Sequence, residues 1–106
     1  MFNSAEKALG LKFAQQLAQR DYVAAYRMCS KNLQSQLTID DLREQFENII
    51  PLDWGGVDTV EIEENQDFPF VYIVLGGEVY SEAILIDSFV TESDLIKINH
   101  LEFGRP

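Results

Sequence analysis

The strongest constraint on the fold is a change of hydrophobic period at Pro51. Before this residue, apolar side chains recur at three- and four-residue steps, which is the period of amphipathic α-helices. After it, apolar and polar residues alternate, as they do along half-buried β-strands. A helix cannot continue through position 51, because proline lacks the backbone N–H and its ring clashes with the preceding turn. The 106 residues therefore predict one α+β domain, residues 1–106, with helices over about 4–50 and a sheet over about 57–103.

The helical half contains three recognisable helix starts. Asn3 and Thr38 are each followed three positions later by an acid, Glu6 and Asp41, which is the spacing of a capping box. Asp21 is suited to cap a short helix between them, because its side chain can accept a hydrogen bond from a free N–H of the first turn. We expect three helices.

The second half predicts a four-stranded antiparallel meander. The first strand lies in VDTVEIEE, two apolar strands lie in FPFVYIVLGGEVYSEAILIDSFV, and the last is LIKINHLEF. The pair Gly76-Gly77 predicts a tight hairpin, since glycine accepts the positive backbone angles that such turns use. The residues TESD predict the next turn.

Charge is distributed unevenly along the chain. Residues 1–50 are balanced, whereas residues 51–106 set Lys97 and Arg105 against twelve acids and carry the whole formal net charge of −10. A field of this sign repels phosphate backbones, so we expect neither nucleic-acid binding nor attachment to an anionic membrane. It attracts a basic protein. The alternative is that an acidic surface serves solubility alone.

Common metal and cofactor chemistries find no support in the residues. One histidine and one cysteine cannot build a typical zinc site, so we expect no metal, and no cofactor motif is present. Cys29 is expected to be a small core residue. The N-terminus lacks the pattern of a secretory signal and no apolar run is long enough to cross a bilayer, so a cytoplasmic location is expected.

A few residues are candidates for acid–base chemistry. Asp87 interrupts the apolar run AILIDSFV, and an acid held in an apolar cavity beside a tyrosine can have its pKa tuned by desolvation. Tyr26 is the first tyrosine to consider, followed by Tyr72 and Tyr80, and His100 is the sole histidine. The alternative readings are a surface bulge at Asp87, tyrosine rings at the edge of the core, and a structural or exposed histidine.

Other residues are candidates for binding a protein partner. Trp54 lies in a glycine-rich loop beside Asp53, and tryptophan is a frequent anchor in interfaces. The alternative is that its ring covers the core. We expect further carboxylates to face solvent or a partner from the sheet half, namely Glu61, Glu63, Glu64, Glu78 and Glu82.

The helical half also carries a family resemblance. The segment QRDYVAAYRMCSKNLQSQLT, followed by a helix start at LTIDDL and then by antiparallel strands, resembles the nuclear-transport-factor-2-like superfamily. The resemblance implies a cone fold, in which three N-terminal helices pack on a curved four-stranded antiparallel sheet. It also implies a homodimer formed through the sheet.

Members of that superfamily have unrelated functions, so the resemblance implies two classes. One is a non-catalytic binding domain, most concretely a bacterial immunity protein that neutralises a basic toxin. The other is a small-ligand-binding protein, or an isomerase- or dehydratase-like enzyme, that uses the cone pocket. The charge distribution favours the first class, and we expect an acidic domain with a basic protein partner.

Overall fold

The computed structural model describes residues 2–64 and 67–104, and in them helices precede strands. The helices are α1 (Ser4–Ala18), α2 (Tyr22–Arg27), α3 (Lys31–Gln36) and α4 (Ile39–Ile49), followed by a 3-10 turn at Leu52–Trp54. The strands are β1 (Thr59–Glu63), β2 (Val71–Gly76), β3 (Ser81–Glu92) and β4 (Leu95–Gly104). They form one antiparallel sheet in the order β1-β2-β3-β4, so the predicted α+β class and meander are confirmed.

The predicted helix caps are confirmed. The Asn3 side chain accepts a hydrogen bond from the backbone N–H of Glu6, and the Glu6 carboxylate accepts one from the backbone N–H of Asn3. Thr38 and Asp41 make the same reciprocal pair at the start of α4. The Asp21 side chain caps α2. Each cap satisfies donors that the first helical turn would otherwise leave open.

The prediction of three helices is wrong, because α3 was not expected. Ser30 is fully buried and caps α3 through a 3.0 Å hydrogen bond from the backbone N–H of Leu33 to its hydroxyl. Its own backbone N–H donates to the carbonyl of Ile98 in β4 at 2.7 Å. The cap is thus fixed by a contact distant in sequence. The number and placement of the helices differ from those predicted for the cone fold. The structure therefore does not establish that fold.

The β2–β3 connection also differs from the prediction. Gly76 is the last residue of β2 and pairs with Ser81, so residues 77–80 form a longer loop than a two-residue hairpin. Among the described glycines only Gly55 has a positive φ, at 84°. Gly77 is needed for space instead, since a Cβ built on it would lie 2.2 Å from the Tyr80 ring.

The predicted TESD turn is confirmed. Ser93 and Asp94 connect β3 to β4 with φ angles of 49° and 66°. Two successive positive φ angles characterise the type I′ hairpin turn, whose twist matches that of the strands. β3 and β4 also contain register irregularities beside Ser88.

One face of the sheet, the inner face, packs against the helices. Gly10 lets α1 approach it closely, since a Cβ there would lie 3.2 Å from Ile86 Cδ1. Cys29 is buried as predicted, and burial raises the pKa of its thiol to about 12. The fully buried large apolar side chains are Phe13, Leu17, Leu42, Phe46, Ile50, Ile73, Leu75, Ile84, Ile86 and Ile98. Within the described residues, no helix has the length and apolar character needed to cross a membrane.

Candidate protein-binding surface

Asp87 lies on the surface rather than in a cavity. The pairing of β3 and β4 shifts register around it, which confirms the bulge interpretation. Its Oδ1 lies 2.6 Å from His100 Nδ1, and both side chains are about half exposed. Acid–base chemistry of the kind considered above needs a carboxyl enclosed by apolar groups. The Asp87–His100 pair is instead open to solvent.

The tyrosine candidates have structural contacts. The Tyr26 hydroxyl donates to the carbonyl of Gln34 at 3.2 Å, and the Gln34 amide donates back to the carbonyl of Tyr26 at 2.9 Å. These two hydrogen bonds connect α2 to α3. The Tyr80 hydroxyl donates to the carbonyl of Gly56 at 3.0 Å, and burial raises the pKa of this phenol.

The segment RDY, which carries part of the family resemblance, joins three helices. Arg20 adopts a φ of 62° where α1 ends, and Asp21 then caps α2. The Tyr22 hydroxyl donates to the Glu47 carboxylate of α4 at 2.8 Å, and burial raises the pKa of this phenol. Arg20 also donates to the carbonyl of Ile50 at 3.2 Å. This segment therefore has a structural role.

A cleft that contains three cations and Glu92 lies beside the β3–β4 turn. It is lined in part by Arg27, Lys31 and Lys97. The Lys97 ammonium donates to the carbonyl of Arg27 at 2.7 Å, and the Glu92 carboxylate accepts from the backbone N–H of Lys31 at 2.9 Å. These contacts tie α2 and α3 to the strands through the side chains of Lys97 and Glu92 and the backbone of Arg27 and Lys31.

An exposed apolar group lies where the 3-10 turn meets the β2–β3 loop. We name it the Trp54 surface, and its members are Leu52, Asp53, Trp54, Glu78 and Val79. Leu52 is 66% exposed, Trp54 is 40% exposed and Val79 is 79% exposed. Asp53 and Glu78 are also exposed. Leu52 and Trp54 lie on the 3-10 turn, and Val79 lies on the loop that Trp54 meets through Tyr80. Large exposed apolar side chains grouped in this way are typical of an interaction site.

The Trp54 ring is held in place by Tyr80. The two ring centroids are 5.7 Å apart with an interplanar angle of 35°. A hydrogen bond to the carbonyl of Gly56 holds Tyr80 in turn, and Gly77 has no side chain that would clash with the Tyr80 ring in this position. A ring that is already ordered loses little side-chain entropy on binding, which favours affinity. Tyr80 was missed as a supporting residue because this contact joins positions distant in sequence.

The predicted sheet carboxylates divide into two groups. Glu61, Glu63 and Glu64 are exposed, and Glu64 forms an ion pair with Lys7 at 3.4 Å. Glu82 is only 2% exposed, so its predicted place on the solvent side is wrong. It pairs with Leu75, which belongs to the inner face, and the register therefore turns Glu82 toward the helices.

The sheet half combines these carboxylates with very few cations. No Lys or Arg occurs between Arg43 and Lys97, a stretch that contains the whole Trp54 surface and strands β1 to β3. The exposed tryptophan therefore has no cation near it in the sequence, and the cation that reaches this region from the helical half is Arg20, which donates to the carbonyl of Ile50 and acts on the Tyr80 phenol. Such a surface attracts positively charged proteins and accelerates their encounter.

No family model, curated protein or solved structure matches this chain. In the part of the chain that the structure describes, no cluster of three or more histidine, cysteine, aspartate or glutamate side chains is arranged to hold a metal ion.

Proposed function

We propose that this protein is a non-catalytic, acidic protein-binding domain whose partner is a basic protein. The observation that carries the proposal is the Trp54 surface, where an exposed tryptophan follows Asp53 and packs on Tyr80 of the loop that carries the exposed Glu78. Aromatic anchors supply much of the binding energy of an interface, whereas surrounding charges set the encounter rate and the choice of partner.

The most concrete form of this function is the neutralisation of a toxin. Toxins that cut nucleic acids carry basic substrate-binding surfaces, so an acidic inhibitor can cover such a surface by presenting charge of the same sign as the substrate. The resemblance of QRDYVAAYRMCSKNLQSQLT to the nuclear-transport-factor-2-like superfamily supports this form by analogy, since that superfamily includes bacterial immunity proteins. A cytoplasmic location is part of the proposal.

An affinity capture from the lysate of the native host tests the proposal. Wild-type protein, Trp54→Ala and Val23→Ala are immobilised in parallel, and bound proteins are identified by mass spectrometry. Val23 is a matched control, because it is a large apolar residue that is 47% exposed but lies on α2. We expect a single basic protein on the wild type and on Val23→Ala.

The size of the expected loss follows from the role of an anchor. Removing a central tryptophan costs about 2 kcal/mol or more, which is roughly a 30-fold loss of affinity. Trp54→Ala should therefore retain little of the partner. Equal retention by all three proteins, or retention of no basic protein by the wild type, would contradict the proposal.

A further inference from the structure

The outer face of the sheet carries apolar side chains that the core does not use. We name them the outer strip: Phe68, Phe70, Tyr72, Val74 and Leu85. Among the described residues, the hydrophobic core and the side chains packed against it include none of these five. Each is half-buried rather than covered. The strip is therefore a second apolar surface, separate from the core.

The aromatic members of the outer strip form a compact cluster. The ring centroids of Phe68 lie 5.3 Å from Phe70 and 5.1 Å from Tyr72, and the Phe70 and Tyr72 centroids are 5.7 Å apart. Rings at these separations contact one another and hold each other in place. The cluster presents a preformed apolar surface.

Carboxylates border the outer strip on both edge strands. In β1, Glu63 is paired with Tyr72 of β2, which is paired with Leu85 of β3, which is paired with Glu102 of β4. Both glutamates are exposed. One row across the sheet thus reads acid, aromatic, aliphatic, acid. The neighbouring row adds Glu61 opposite Val74.

The spacing of the two acidic borders fits an α-helix. Adjacent strands lie about 4.8 Å apart, so β1 and β4 are separated by roughly 14 Å. An α-helix with its side chains is about 10–12 Å wide. A helix lying along the strands would rest its apolar stripe on the outer strip and place residues flanking that stripe beside Glu63 and Glu102. Cationic flanks would complement these carboxylates.

A second copy of this chain is a poorer occupant of the same face. Two such faces packed together would bring the glutamates of one copy close to those of the other, and like charges in contact oppose association. Within the described strands the one Lys or Arg is Lys97, which lies past the register shift, and its ammonium donates a hydrogen bond to the backbone carbonyl of Arg27. Lys97 pairs with Val90, so no described strand places a cation in the rows that contain Glu61, Glu63 and Glu102.

We propose that the outer strip binds an amphipathic α-helix of the partner, with Lys or Arg on both flanks of its apolar stripe. This inference rests on the proposed function, because it names the element that the basic partner contributes. It assigns a role to the sheet face beyond that of the Trp54 surface. Helices commonly dock in this way, with apolar anchors at positions i, i+3, i+4 and i+7.

A titration followed by NMR tests the inference with a defined probe. The probe is a synthetic helical peptide of about 14 residues, or about 21 Å, with a leucine stripe flanked by lysines on both sides. A second peptide carries glutamate in place of every lysine. We expect the lysine peptide to shift the amide signals of the outer strip and the glutamate peptide to leave them unchanged.

Two double variants separate local from overall charge. Glu63→Gln with Glu102→Gln should weaken the lysine peptide by roughly three- to tenfold, since each partly exposed ion pair contributes modestly. Glu44→Gln with Asp94→Asn makes the same change in net charge at exposed positions on α4 and in the β3–β4 turn, and it should change affinity much less.

Several results would overturn the inference. In the titration, these results are equal binding of both peptides, equal effects of the two double variants, or signal shifts away from the outer strip. In sedimentation, the contradicting result is a homodimer that Glu63→Gln with Glu102→Gln strengthens, together with no binding of the peptide. If the captured partner depends on Trp54 but ignores the Glu63 and Glu102 substitutions, this inference fails and the proposed function stands. If Trp54→Ala has no effect on capture, the proposed function fails, and this result is distinct from a failure of the peptide titration.

Discussion

Replacing Gly77 with alanine should disorder the Trp54 surface without touching it. A Cβ at position 77 would lie 2.2 Å from one carbon of the Tyr80 ring and 2.8 Å from its hydroxyl oxygen. Contacts this short cannot exist, so the Tyr80 ring has to swing away. Its hydrogen bond to Gly56 and its contact with Trp54 would both be lost.

The cost can be worked from those two contacts. An aromatic pair contributes about 0.5–1.5 kcal/mol beyond its area, and a net hydrogen bond contributes a similar amount. Alanine returns about 0.4–1 kcal/mol by restricting the unfolded chain. Taking the middle of each range, Gly77→Ala should therefore lower the free energy of unfolding by about 1.3 kcal/mol.

Gly56→Ala is the matched control, because a Cβ there would meet nothing within 4 Å and the residue is not among the positive-φ glycines. It should change stability by about 0.5 kcal/mol or less. Urea unfolding gives both free energies. Trp54 is the single tryptophan, so its fluorescence reports the local change directly. We expect red-shifted native emission in Gly77→Ala alone. Equal stability and equal emission in the two variants would refute the reasoning.

Three further predictions concern stability. Burial raises the pKa of Cys29 from its ordinary 9.0 to about 12, so the folded protein keeps a proton that the unfolded chain loses above pH 9. We therefore compare the free energy of unfolding of the wild type with that of Cys29→Ala, using urea unfolding at several pH values. The difference between them should be constant below pH 9 and then fall by up to about 1.4 kcal/mol per pH unit. A difference that stays constant above pH 9 would contradict this. Thr38→Ala removes the cap of α4 and should cost about 1 kcal/mol in the same assay, whereas no loss would show that the cap is dispensable. Glu61→Gln with Glu63→Gln should alter stability by less than about 0.5 kcal/mol, and a larger loss would show that these carboxylates support the sheet.

Local signals in the sequence predicted the parts of the fold that local chemistry fixes. The capping pairs at Asn3 and Thr38, the stop at Pro51 and the turn before Leu95 all depend on residues a few positions apart. Helix α3 has no clear local signal, because a backbone hydrogen bond to Ile98 holds its cap, Ser30, and because the helix buries only Leu33. Contacts between distant positions decide such elements.

The side of the sheet on which a residue lies was harder to predict. Glu82 was expected in water, yet its pairing with Leu75 directs it inward. A strand's alternation shows that two faces exist, but the register between strands decides which face is covered. The outer strip could not be predicted for the same reason, since the sequence does not distinguish Phe70 and Tyr72 from core residues.

The candidate binding site was predicted in part. The exposure of Trp54, Asp53 and Glu78 agrees with the sequence argument, whereas the support of Trp54 by Tyr80 has no local signal. Asp87 and His100 were each noted as single residues, and the fold brings them together at the bulge. The binding role of Trp54, Asp53 and Glu78 and the catalytic role of Asp87 stay predictions.

The measurement that tests the central claim most directly is the rate of association with the captured basic protein at low and at high salt. Wild-type protein is compared with the double variant Asp53→Asn with Glu78→Gln, which removes the two carboxylates of the Trp54 surface. The control is Glu44→Gln with Asp94→Asn, which makes the same change in net charge on α4 and in the β3–β4 turn. We predict that the wild-type association rate falls steeply with salt and that the double variant associates more slowly at low salt, while dissociation changes little. A rate that ignores both salt and these carboxylates would contradict the account.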